Sequence, residues 1–115
     1  MAVLRTIEGS ENVSHVVLTG RLDVEGVTKV ELPLTAATVS LRRPTIIDMT
    51  EVDFLGSLGI GVLVRCAVSL QRSGLRLVLF GCQPMVRRTL EVSRVTAVMP
   101  LADSETDAVA LVNAR

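Results

Sequence analysis

The chain has 115 residues, of which 49% are hydrophobic, and its twelve basic residues equal its twelve acidic ones. A chain of this length buries a real core as one domain, so we expect a single unit over residues 1–115. Balanced charge provides no overall field for nucleic acid or an anionic membrane, and Trp and Tyr, which would stack on single-stranded bases, are absent. We therefore predict a partner that is neither nucleic acid nor membrane.

The amino terminus lacks the apolar run of a signal peptide, and no stretch of about 18 apolar residues follows without charge. We expect a soluble, cytoplasmic protein. Cys66 and Cys82 lack the spacing of metal ligands, and His15 is the single histidine. The cysteines are interpreted as buried reduced thiols, with a redox switch as the alternative. No cofactor or metal is predicted.

The chain is predicted to open with a β-hairpin. Residues 2–8 alternate weakly, residues 9–12 form a turn, and residues 13–19 are a β-rich run. His15 lies in this second strand and is interpreted as an edge or surface histidine, because no acid or nucleophile is placed to work with it.

Asp23 is placed to open a helix that extends to about Ser40. Pro33 lies within this stretch and has no N–H to donate, so we predict a kink there or a late start of the helix. As a cap, Asp23 satisfies backbone donors. Alternatively, it is a surface acid that contacts a partner.

Residues 45–49 are predicted to form a buried central strand that ends at an acidic turn, residues 50–53. A helix follows from Leu58 to Ser73 and is closed by Gly74. Ser57 therefore lies where a loop becomes a helix N-terminus, exposed and close to unpaired N–H groups.

The remaining chain continues the alternation of strands and helices. Residues 75–80 form a strand, residues 84–92 a helix with proline at its first position, and Ser104 with Asp107 a variant of the capping box of a last helix. This alternation predicts an α/β sheet that is largely parallel after the hairpin.

Two enzyme interpretations of the serine loop fail. In Leu55–Gly59 the first glycine is adjacent to the serine, unlike the nucleophile elbow, and the single histidine is far upstream. The only lysine is Lys29, so no phosphate-binding loop of a nucleotide triphosphatase is present.

The helix after Ser57 divides into two faces at 100° per residue. One face should pack on the sheet: Leu58, Val62, Leu63, Cys66, Ala67 and Leu70. The opposite stripe, Ser57, Gly61, Val64 and Val68, resembles part of a docking face. A phosphate on Ser57 would suit the helix N-terminus and weaken such docking, whereas in the other interpretation Ser57 only caps the helix.

Three segments resemble the STAS domain family, specifically the bacterial anti-sigma-factor antagonists. They are Leu18–Asp23, Ile47–Gly61 and Pro84 with the helix after it, and their order and separation are also family-like. The similarity extends from about Val13 to Val112. It implies a single STAS-like α/β domain with a central mixed sheet of about four to five strands and about four helices packed mainly on one face.

The resemblance also implies a function, and that function is not enzymatic. Antagonists of this type bind an anti-sigma factor that is also a serine kinase and so free a sigma factor for transcription. Phosphorylation of the loop serine ends the interaction, and a serine phosphatase restores it. The phosphoacceptor is then Ser57, and the partner-binding residues are Arg21, Asp23, Gly56, Ser57, Leu58, Gly59, Gly61, Val64 and Val68. We expect a monomer or a weak homodimer.

Two residues depart from the family pattern. Gly56 precedes the serine where the family usually has Asp, and Leu58 stands where a small residue is common. The missing carboxylate would alter recognition by a kinase or the rate of phosphorylation. Glycine also allows the backbone conformations that other residues avoid. The alternative function is therefore a scaffold or ligand-sensing STAS module that needs no phosphorylation.

Overall fold

Five strands form one mixed sheet in this computed structural model, which describes residues 2–7 and 13–113. In spatial order they are β1 (Val3–Ile7), β2 (Ser14–Leu22), β3 (Thr45–Leu55), β4 (Leu77–Phe80) and β5 (Leu101–Ala102). β1 is antiparallel to β2, and the other pairs are parallel. The antiparallel opening strands and the parallel remainder are confirmed, while the predicted turn at residues 9–12 lies outside the described residues.

Four α-helices cover the sheet unequally. They are α1 (Val24–Thr35), α2 (Ser57–Arg72), α3 (Pro84–Val92) and α4 (Glu105–Val112). The first three share one large core with one face of the sheet, while α4 packs on the other face through a smaller cluster that includes Ala108 and Val112. This arrangement confirms a single α/β domain with helices mainly on one face.

The interruption predicted at Pro33 takes the form of a change of helix type. α1 begins at Val24, so the late start is wrong, and Pro33 lies inside its last turns. Residues Ala36–Ser40 then continue as a π-helical turn. Proline cannot donate to the preceding turn, which weakens the regular α-helical ladder at this point.

β3 is longer than predicted and reaches Leu55, so the acidic turn at residues 50–53 is wrong. Two register shifts against β2 each insert one extra residue into β3. The residues of β3 that belong to the large core are Ile47, Met49, Val52 and Leu55. Their spacing widens from two residues to three where a bulge intervenes, so the bulges keep the same face of the strand on the core.

His15 is buried rather than at an edge or surface, so that interpretation is wrong. Its ring meets the Phe80 ring edge-on at 5.9 Å between centroids, and its Nε2 lies 3.9 Å from Glu105 Oε1. α4 covers this part of the sheet, which the local sequence around His15 does not show. The start of α4 is as predicted, because the Asp107 N–H donates to Ser104 Oγ at 3.1 Å.

Candidate partner-binding site

The loops that follow β2 and β3 are joined directly. Because these strands are parallel, their carboxyl ends lie at the same edge of the sheet. The Gly56 N–H donates to the Leu22 carbonyl oxygen at 3.2 Å. The predicted site residues at the end of β2 and before α2 are therefore neighbours, although more than thirty residues separate them in sequence.

Asp23 is the N-cap of α1. Its Oδ1 accepts the Gly26 N–H at 2.9 Å, and its Oδ2 lies 3.6 Å from Arg21 Nε. The hydrogen bond from Gly26 holds the pKa of Asp23 below its ordinary value of 3.8, and Arg21 acts in the same direction. The capping interpretation is confirmed, and a contact between Asp23 and a partner stays a prediction.

Phe54 is a site residue that the sequence analysis missed. Phe54 is 39% exposed, and its ring lies under the Arg21 guanidinium, whose Cζ is 4.4 Å from the ring centroid. A Cβ placed on Gly56 would lie 3.2 Å from Phe54 Cε2. The sequence does contain a signal for Phe54. Adjacent residues of a strand point to opposite faces, so if Leu55 faces the core, Phe54 faces away from it.

Ser57 is the exposed first residue of α2, and Gly56 is its N-cap, so the interpretation of Ser57 as the cap is wrong. Gly56 has φ −93° and ψ 178°, extended values that any residue adopts, and no side chain caps the helix. Within the described chain, the first-turn N–H groups of Ser57, Leu58 and Gly59 meet no acceptor. The start of α2 therefore presents three unsatisfied donors beside the serine.

The core-facing side of α2 is as predicted with one exception. Val62, Leu63, Cys66, Ala67 and Leu70 are buried, whereas Leu58 is 54% exposed, so its assignment to the core is wrong. Gly59 occupies the core-facing position of the first turn, and Leu58, one residue earlier, is rotated to the flank. Leu58 thus adds an apolar surface next to Ser57.

The other predicted contact residues on α2 are less exposed than their stripe suggested. Gly59 is buried, and a Cβ there would lie 2.8 Å from Leu55 Cδ1 and 3.1 Å from Leu22 Cβ, so it lets the helix approach both strands. Gly61, Val64 and Val68 are half-buried. The exposed part of the site is concentrated at the first turn of α2.

Neither cysteine forms a disulfide. Cys66 is buried and Cys82 half-buried, and burial raises the pKa of the Cys82 thiol to about 11. At neutral pH this thiol is therefore protonated and a poor nucleophile. Over residues 2–7 and 13–113 no group of three or more His, Cys, Asp or Glu side chains could hold a metal ion, and no helix is long and apolar enough to cross a membrane.

A comparison with models of sequence families identifies the family of this chain. The sequence model of the STAS domain matches residues 5–108, which is most of the chain. The chain belongs to the STAS domain family. A comparison with curated proteins gives no match.

Solved structures with this STAS fold include regulators of sigma factors. An anti-sigma factor antagonist from Mycobacterium paratuberculosis has a TM-score of 0.84 and 25% identity, covering 97% of this chain and 96% of that one. A putative anti-sigma factor antagonist from Thermotoga maritima has a TM-score of 0.85 and 16% identity, covering 96% and 95%. The Bacillus cell fate determinant SpoIIAA in its phosphorylated form has a TM-score of 0.71 and 19% identity, covering 96% and 100%.

Proposed function

We propose that this STAS protein is an anti-sigma-factor antagonist. It binds an anti-sigma factor that is also a serine kinase, frees a sigma factor, and is switched off by phosphorylation of Ser57, with a serine phosphatase reversing the modification. We propose the bacterial cytoplasm as the location of this exchange. The observation that carries the proposal is the exposed Ser57 at the first position of α2, between the exposed side chains of Phe54 and Leu58.

The surface around Ser57 suits a protein partner. Phe54 and Leu58 provide apolar area, and the Arg21 guanidinium beside Phe54 provides a charged, hydrogen-bonding group. Aromatic and arginine side chains often dominate the binding energy of interfaces.

Phosphorylation of Ser57 would alter this surface without breaking the fold. A phosphate adds roughly two negative charges, which the open N–H groups and the dipole of α2 favour. The same charges would lie beside Phe54 and Leu58, so a partner that buries these side chains would have to desolvate the phosphate. Binding should therefore weaken while the stability of the free domain is kept.

The test uses anti-sigma factors with a kinase domain from the same genome, each incubated with the protein and ATP. Phosphate is located by mass spectrometry, and binding is measured by calorimetry for wild type, Ser57→Ala and Ser57→Glu. We expect modification at Ser57, near wild-type binding by Ser57→Ala, and a loss of at least about tenfold for Ser57→Glu, because its single carboxylate would have to be desolvated in the interface.

Two variants serve as matched controls. Ser73→Glu adds a charge at the exposed far end of α2, and Leu32→Asp changes an exposed leucine of α1 that is 80% exposed. Both should bind as wild type, whereas Leu58→Asp should not. The switch is wrong if Ser57 stays unmodified while Ser57→Glu binds normally, and the location of the interface is wrong if Leu32→Asp costs as much as Leu58→Asp.

Gly56 favours a second candidate, a scaffold or ligand-sensing STAS module that acts without phosphorylation. Its backbone angles accept aspartate, and Phe54, which a new Cβ would press on, is half-exposed and able to shift. Gly56→Asp therefore tests whether the missing carboxylate limits the kinase. Phosphorylation of Gly56→Asp but not of wild type would support the second candidate, and equal phosphorylation of the two would reject it.

A further inference from the structure

Three segments that lead into the parallel strands contain arginines and no acidic residue. They are residues 41–44 before β3, residues 72–76 before β4 and residues 93–100 before β5. The three segments contain no Asp or Glu, and their basic residues, which we name the basic end, are Arg42, Arg43, Arg72, Arg76 and Arg94. None of these side chains forms an ion pair with another residue of the described chain.

The sheet brings these segments together at the edge opposite Ser57. The Thr45 N–H donates to the Arg76 carbonyl oxygen at 2.9 Å, and the Leu79 N–H donates to the Pro100 carbonyl oxygen at 3.0 Å. Ser57 and Arg72 are the first and last residues of α2. At 1.5 Å per residue they are about 22 Å apart along the helix axis, so the basic end is separate from the site proposed above.

Two arginines of the basic end occupy backbone positions that favour glycine. Arg42 has φ 51° and Arg94 has φ 59°, in the left-handed region where a side chain is unfavourable. The backbone gains nothing from arginine at either position. Replacing either arginine by glycine would remove a positive charge and relieve the unfavourable backbone conformation. A loss of binding in such a variant could then be attributed to the charge, because the stability of the fold would not be lowered.

A cavity of about 190 Å³ lies at the same edge of the sheet. Polar and apolar atoms share its surface about equally, and four of its six lining residues are apolar in type: Gln71, Leu75, Arg76, Ala97, Val98 and Pro100. Arg76 Nη1 donates to the Leu111 carbonyl oxygen of α4 at 3.4 Å, which fixes the position of this guanidinium. The cavity is smaller than the roughly 300–1,000 Å³ of pockets for drug-sized ligands and suits one side chain of a larger partner.

We propose that the basic end binds an acidic polypeptide segment, which places one aliphatic side chain in the cavity and its carboxylates on the arginines. Guanidinium groups bind carboxylates with paired hydrogen bonds, and several separated cations match several carboxylates along an extended chain better than one small anion. The chain as a whole is neutral and has only two aromatic residues, both Phe, which disfavours nucleic acid. The protein thus binds two partners at opposite ends.

The experiment measures fluorescence anisotropy with a labelled peptide of glutamate and serine residues around one central leucine, at low salt. We expect the double variant Arg42→Gly with Arg94→Gly to bind about tenfold more weakly, since each exposed pair is worth roughly threefold. Its unfolding temperature should equal or exceed that of wild type. Arg5→Gln removes one exposed charge from β1 and should bind the peptide as wild type does.

Three further probes identify the occupant. Replacing the central leucine of the peptide by serine should weaken binding, and replacing its glutamates by lysines should abolish it. The proposal is overturned if the double variant binds as wild type, if Arg5→Gln loses as much, or if a single-stranded oligonucleotide binds more tightly than the peptide. Self-association of wild type in sedimentation that the double variant loses would also overturn it, because the occupant would then be a second copy of this chain.

Discussion

The two halves of β3 differ in how they are supported. From Thr45 to Asp48 the strand pairs with β2 on one side and β4 on the other, without a register shift on either side. Beyond Asp48 it pairs with β2 only, contains two bulges, and carries Phe54 and the loop to Ser57. The first half builds the sheet, whereas the second half presents the site, so one strand serves two purposes by changing its partners.

The largest effect is expected in the first half, from Ile47→Ala. Ile47 is fully buried between the sheet and the helices. Truncation should cost about 2–5 kcal/mol of unfolding free energy through lost burial and the cavity left behind. Urea denaturation followed by circular dichroism measures it. A loss below 1 kcal/mol, as roughly expected at surface positions, would show that the first half is not the structural core.

Gly59→Val should have the next largest effect, in the support of the second half. A Cβ at residue 59 would press on Leu55 and Leu22, so we expect a loss of about 1–3 kcal/mol. Gly61→Ala is the matched control, because a Cβ there would meet only Arg65 Nη1 at 3.6 Å. The control should be neutral or gain up to about 1 kcal/mol from helix propensity, and equal losses in the two variants would contradict the packing role of Gly59.

Gly56→Asp should raise stability by roughly a few tenths of a kcal/mol over wild type and by about 1 kcal/mol over Gly56→Ala, because its carboxylate would accept a first-turn N–H of α2. The Phe54 ring must shift by a few tenths of an ångström to admit the Cβ, which reduces the gain. Thermal unfolding should be measured for Gly56→Asp and Gly56→Ala. Both variants carry the Cβ that presses on Phe54, so the difference between them gives the contribution of the capping carboxylate alone. If both variants lose stability equally, the start of α2 has no need of a cap.

The smallest effect concerns the acid dependence of Asp23 at the end of β2. Its folded-state pKa lies below the ordinary 3.8, so its contribution is present above 3.8 and is lost as pH falls through the lower folded value. Asp23→Asn keeps a capping oxygen without the charge. The stability difference between wild type and this variant should shrink below pH 3.8, and a constant difference would show that the charge of Asp23 is not linked to folding.

The regular parts of the molecule could be predicted from the sequence. The features that depend on strand pairing and on contacts between distant elements could not. The first half of β3 lies in a short, largely apolar run, and the core-facing residues of α2 recur at the helical period, so local sequence contains both signals. The bulges of β3 break its period, so residues 50–53 looked like a turn. The exposure of Leu58 and the burial of His15 depend on Gly59 and on α4, respectively, and neither relation is visible in a local pattern.

Most residues of the candidate site could be named from the sequence, but the contacts between them could not be predicted. Arg21, Asp23 and Ser57 were named from the sequence, and the structure brings their segments together through the bond between Gly56 and Leu22. Phe54, which joins Arg21 to Gly56, was absent from the prediction because its strand was assigned to end at Met49. The partner roles of all these residues remain predictions.

The pairing of β3 on one side beyond Asp48 also affects the rate at which its amides exchange hydrogen. Amides paired within a central sheet exchange their hydrogens only when the whole domain unfolds, whereas segments with few neighbours exchange through local opening. Among the described strands, β2 is the only neighbour of the residues from Thr50 to Leu55. The segment that carries the Ser57 loop should therefore exchange hydrogen well before residues 45–48, and open repeatedly while the domain stays folded.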